Sequence, residues 1–286
     1  MFAKISLGWQ LVKQSFRVLQ DDKRLIIFPF LSGIACLIVL ASFLVPLWGS
    51  PQAKAIMETK QMPHDPLSYI LMFLFYFCNY FVIVFFNSAL VACAIGRFRG
   101  HEPTLGDGFR VAIGRIPQIV AWALVSATIG LILKVIESYS EKAGRFVAGL
   151  LGAAWSVITY LVVPVLVMEK ANPLDAVKRS TSLVKKTWGE SLSAHLTSGL
   201  IFTVIFYIAL IPILLLIALA VYAFANGLIV LAGLAIATIV IVVTLISLVS
   251  SALSTILLAS LYLYAAEGTV PESFDPQLFE GAFKKK

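Results

Sequence analysis

The chain has 286 residues, of which 60% are hydrophobic and 13% charged, against about 25% charged in a soluble domain. A water-soluble core cannot use that much apolar sequence in unbroken blocks, so a soluble globular fold is excluded. The net charge of +7 is read as topology-setting and lipid-facing charge rather than as a nucleic-acid surface.

From the N-terminus, Phe2, Ile5, Trp9, Val12, Phe16 and Leu19 recur at steps of three and four. This spacing predicts an amphipathic helix with one apolar stripe, with Lys4, Lys13 and Arg17 elsewhere on the wheel. The first block free of Asp, Glu, Lys and Arg runs from Leu25 to Ala53. It is longer than a signal-peptide core and shows no A-x-A site after Val45-Pro46-Leu47-Trp48-Gly49, so a retained span is expected over about 25–48. The second block, Pro66 to Gly96, predicts a span over about 67–96. Thr104 and Asp107 have capping-box spacing and open a second amphipathic stretch with Leu105, Phe109, Ala112, Ile113 and Ile116. Gly106, Gly108 and Gly114 weaken that helix in isolation.

Further blocks predict spans over about 116–136 and 146–168. Asn172 then suits an N-cap and Pro173 a first helical position. Leu174, Val177, Thr181, Val184 and Trp188 are expected to share a face, beside the cations Lys178, Arg179, Lys185 and Lys186. The final block, Ser191 to Ala266, is too long for one span. Asn226-Gly227 is its one turn signal, which divides it into spans over about 196–225 and 228–266. The second would be ~58 Å long if unbroken, so it must tilt, kink or project, and a further span in this block is the main alternative. Residues 267–286 form a short tail, in which Phe274, Leu278, Phe279 and Phe283 faintly echo the earlier stripes.

The predicted fold is an all-α polytopic bundle of six spans, with basic amphipathic interfacial helices on one face. Of the 22 Lys and Arg residues, 17 fall in 1–24, 97–115, 169–190 and 267–286, and five on the other side. The positive-inside rule places the rich side, and both termini, in the cytoplasm of a cell inner membrane. Each odd span follows a basic amphipathic helix, which fits a threefold repeat of helix, span, span. It fits equally the basic, capped connectors common to membrane proteins.

Val163-Pro164-Val165-Leu166-Val167-Met168-Glu169, Asn172-Pro173, Ala176, Arg179-Ser180, Leu183 and Lys185-Lys186-Thr187-Trp188-Gly189-Glu190 resemble a prokaryotic membrane-protein family known only as a domain of unknown function. More distantly they are similar to the membrane domain fused to some glycerophosphodiesterases. The resemblance implies a six-helix membrane protein and supplies no substrate. With no soluble phosphodiesterase domain in the sequence, that activity does not carry over.

Catalytic chemistry is not expected. Asp, Glu, Lys and Arg are absent from span centres; His64, His101 and His195 are far apart; and HExxH, GxSxG and P-loop patterns are missing. Glu102 beside His101 reads as an exposed loop pair rather than as metal ligands. Cys36, Cys78 and Cys93 have neither disulfide nor metal spacing and read as small core residues. No cofactor is expected. Polar groups at span depth are neutral: Asn79 and Asn87, near Tyr76 and Tyr80, and the face of Thr244, Ser247, Ser251, Ser254 and Thr255. Helix packing explains them, as it does the small-residue series Ala148, Gly152 and Ser156; a neutral polar pathway is the alternative. Two functions survive. One is a structural component that grips anionic lipid head groups, membrane-protein partners or a second copy of itself. Its candidate lipid contacts are Lys178, Arg179, Lys185, Lys186 and Trp188. The other is a small-solute transporter or channel.

Overall fold

The computed structural model describes residues 2–47, 66–138, 143–187, 210 and 212–277, with side chains from Trp9 onward. No strand occurs among them. Helix α1 (Phe2–Asp21) leads through a 3-10 turn, Lys23–Ile26, into α2 (Ile27–Leu47). There follow α3 (Pro66–Phe98), α4 (Leu105–Ile113), α5 (Ile116–Ser138), α6 (Ala143–Ile158), α7 (Val162–Glu169), α8 (Pro173–Thr187), α9 (Pro212–Ala225) and α10 (Ile229–Glu267). Among the described residues, five segments are long and apolar enough to cross a membrane: Lys23–Pro46, α3, α5, Ala143–Glu169 and α10. The expected fifth span, 196–225, lies largely outside the described residues, of which α9 is its final part.

Local sequence explains most boundaries. Pro66 and Pro173 open α3 and α8, where the missing N–H costs nothing. The capping box on α4 is complete. The Thr104 hydroxyl accepts the Asp107 N–H at 3.3 Å, and the Asp107 carboxylate accepts the Thr104 N–H at 2.9 Å. Asn172 caps α8 by accepting the Asp175 N–H at 3.0 Å. The Asn226-Gly227 turn is a Schellman motif. Leu228 N–H reaches back to Ala223 C=O, Gly227 N–H to Phe224 C=O, and Gly227 takes the left-handed conformation, φ 74°. Beyond it α10 is one unbroken helix of 39 residues, about 58 Å long.

The fourth span is not continuous. Pro164 has no N–H to offer the carbonyl four residues back, and its ring crowds that carbonyl. The helix accordingly stops at Ile158, turns through Thr159–Leu161 and restarts at Val162. The carbonyl of Val167 near the end of α7 accepts Nε of Arg115 at 2.9 Å, a cation at a helix C-terminus.

α3 is the central helix, flanked by α2, α4, α5, α7 and α10. Phe28, Leu90, Cys93, Ala112, Ile256 and Phe274 belong to one buried cluster, which also takes Leu11, Val12, Val18 and Leu19 from α1. Val91, Ile95, Ile119, Trp122, Val165, Leu166 and Leu183 belong to a second. Trp122 stacks on Trp155 at 5.8 Å, joining α5 to α6. The apolar stripe expected along α1 is divided: Val12 and Leu19 are buried, whereas Trp9 and Phe16 are exposed. The outer faces of the spans are also apolar and exposed, with Leu37, Ile38, Leu150, Leu215 and Val240 all uncovered. Such a surface belongs in hydrocarbon rather than water.

Candidate functional site

The polar connectors meet at one end of the bundle. Asp22 pairs with Arg97 at 3.6 Å, Arg99 with Glu267, and Arg179 with Glu169 at 3.1 Å. Helix α8 is the keystone of this end. Its buried face is Ala176, Ser180, Leu183 and Val184, while Leu174 at its N-terminus is 72% exposed. The predicted face was rotated, because apolar character alone gave no weight to Ala176 and Ser180. These small residues are what let α8 approach the break in the fourth span.

Ser180, fully buried, bridges that break. Its hydroxyl donates to the Ile158 carbonyl at 2.7 Å and accepts the Leu161 N–H at 3.1 Å. Both backbone groups belong to the turn opened by Pro164. A few residues on, Glu169 accepts Nε of Arg179 on both oxygens, each at 3.1 Å, and the hydroxyl of Tyr262 on α10, also at 3.1 Å. Lys186 donates to the Ala265 carbonyl at 3.3 Å, near the C-terminus of α10. One short helix thus ties the fourth and last spans together by hydrogen bonds from three of its side chains.

The sequence-predicted residues divide accordingly. Arg179 and Lys186 are held by the protein. Among the described residues Lys178 reaches only Asp175, at 3.9 Å with the lysine side chain 81% exposed, and Lys185 is exposed. Trp188 lies outside the described residues. Asn79 donates to Phe75 C=O of its own helix at 2.9 Å, and the partly buried Asn87 has no hydrogen-bond partner among the described residues. Ser247, Ser251 and Ser254 are exposed along one side of α10.

A separate cavity of about 440 Å³ lies between α3 and α4, lined by Cys93, Gly96, His101, Glu102, Asp107 and Gly108 among others. The Asp107 carboxyl is committed to the helix cap. The Thr104 hydroxyl and backbone N–H, with Arg110 nearby, hold it below the usual aspartate range. Among the described residues no group of three His, Cys, Asp or Glu is placed to hold a metal.

The apolar spans and the polar junction at one end define a helical membrane protein built around a central helix. The chain belongs to DUF6159, a family of unknown function, whose sequence model matches residues 67–272. No curated protein and no solved structure matches it.

Proposed function

We propose that the protein is a non-enzymatic structural component of the inner membrane, whose basic end lies at the cytoplasmic leaflet and binds anionic lipid head groups or a membrane-protein partner. The observation that carries this reading is the division of labour on α8. Arg179 and Lys186 fasten the helix to the bundle, which leaves Lys178 and Lys185 exposed on a fixed support. A cation near an anionic leaflet contributes about 1 kcal/mol, and a docked helix spends little conformational entropy in presenting it. The grouping of connectors at one end fits the six-span topology, which assigns 17 of the 22 Lys and Arg residues to one side.

The test is lipid selectivity of the full chain in nanodiscs. Native protein should enrich phosphatidylglycerol over phosphatidylcholine in its boundary layer, and K178E/K185E should reduce that enrichment. Equal enrichment in both proteins would remove α8 as the lipid contact. A second reading, a small-solute path with neutral walls, draws on the amide of Asn87, which has no hydrogen-bond partner among the described residues, and on the exposed Ser247, Ser251 and Ser254.

A further inference from the structure

Helix α1 has two working faces. Leu11, Val12, Ser15, Val18 and Leu19 are buried, and at 100° per residue they occupy about a third of the wheel. This face packs on α10 and on the entrance to α2. The face beside it, next to Val12, carries Trp9, 51% exposed, and Phe16, 40% exposed, and leads round to the side opposite the stripe. Between and beside them lie Lys13, Arg17 and Gln20, all exposed. From Trp9 to Gln20 the helix contains no acidic residue. Two uncovered aromatics interleaved with two cations are the side-chain set of a membrane–water interface, where rings sit at head-group depth and Lys or Arg stems reach toward phosphates.

We infer that this outer face of α1 is a lipid-docking surface that takes anionic phospholipid head groups, with Trp9 and Phe16 seated in the interfacial layer and Lys13 and Arg17 on the phosphates. Charge complementarity selects the occupant: Lys13 and Arg17 carry the charge of the face up to the exposed Asp21 at the helix C-terminus, and the rings supply the apolar contact a bare ion would not need. The surface is independent of the lysines on α8. It rests on the preceding reading only in placing this end of the bundle at the anionic leaflet. Because the buried stripe fixes α1 on the bundle, the face is preorganised and does not require folding upon contact.

The experiment reconstitutes the full chain in bilayers containing lipids brominated on the acyl chains near the head group. The bromines quench nearby tryptophan, and the difference between native protein and W9F isolates the Trp9 signal. That signal should be quenched by brominated phosphatidylglycerol in a phosphatidylcholine background. It should be quenched roughly twofold less or weaker still by brominated phosphatidylcholine in a phosphatidylglycerol background. K13E/R17E should abolish this preference while the melting temperature in detergent stays unchanged, since neither residue is in the buried stripe. Quenching without preference would overturn the head-group assignment. An unquenched Trp9 would overturn lipid as the occupant, and a Trp9-dependent cross-link between chains would assign the face to a second copy instead. K178E/K185E distinguishes the two readings: if only that variant shifts lipid selectivity, the α1 surface fails and the α8 platform stands.

Discussion

Ser180 and Leu161 are joined across the broken fourth span: the buried hydroxyl accepts the Leu161 N–H at 3.1 Å while donating to the Ile158 carbonyl at 2.7 Å. A hydroxyl that both donates and accepts is the smallest group able to satisfy the two sides of a helix break. Ser180→Ala leaves both backbone groups without that partner in an apolar setting, which costs about 1–3 kcal/mol. The expected result is a lowered melting temperature in detergent. Ser180→Thr, which keeps the hydroxyl, should lose less unless its extra methyl clashes, so the contrast of interest is Ala against Ser. An Ala variant as stable as the native chain would mean that the break needs no bridge.

Gly108 sits where α4 meets α3. A Cβ there would stand 2.6 Å from Sγ of Cys93, 2.8 Å from the Ala89 carbonyl oxygen and 2.9 Å from Cζ of Phe28. Gly108→Ala should therefore destabilise by about 1–3 kcal/mol through overpacking, despite the better helix propensity of alanine. Adding Cys93→Ala relieves the sulfur clash and leaves those with the Ala89 backbone and the Phe28 ring, so partial rescue is expected. Full rescue would show that the backbones can move apart.

The Thr104–Asp107 cap makes α4 sensitive to acid. The native Asp107 pKa is lowered, first by the Thr104 hydroxyl and then by its backbone N–H. A depressed carboxylate contributes stability that is fully present above the unfolded-state value of about 3.9. That contribution is lost as pH falls through the lower native value. Hydrogen exchange of the α4 amides should accelerate over that acidic window relative to Asp107→Asn, which lacks the titration. Identical pH profiles in the two proteins would contradict the assignment.

Asn87 separates the two functional readings. Its amide is half-buried, with no hydrogen-bond partner among the described residues. If it serves only packing, Asn87→Leu should alter thermal stability and leave solute flux in proteoliposomes unchanged. Flux that falls with Asn87→Leu at unaltered stability would favour the solute pathway.

Features encoded within a few residues were legible in the sequence. Thr104 and Asp107, Asn172 and Pro173, and Asn226 and Gly227 act over one to three positions, and the structure bears each of them out. The apolar blocks were legible too, because span length follows from block length. What escaped depends on contacts between distant segments. Pro164 marks a break, but the group that bridges it lies on another helix, 19 residues from Leu161. Glu169 meets Tyr262 across 93 residues, which no local periodicity reports. The faces of α1 and α8 were misjudged for a related reason. Helical spacing identifies which residues align, but whether Trp9 meets lipid or protein is decided by which stripe the neighbouring spans accept.

Sidedness is the most direct test of the central claim, a six-span bundle with its basic end at the cytoplasmic leaflet. Reporter fusions after Lys286, within 97–115 and within 52–64 measure it in intact cells. The account predicts a cytoplasmic reading for the first two and an external reading for the third. An external C-terminus, or connectors 97–115 and 267–286 on opposite sides, would contradict it.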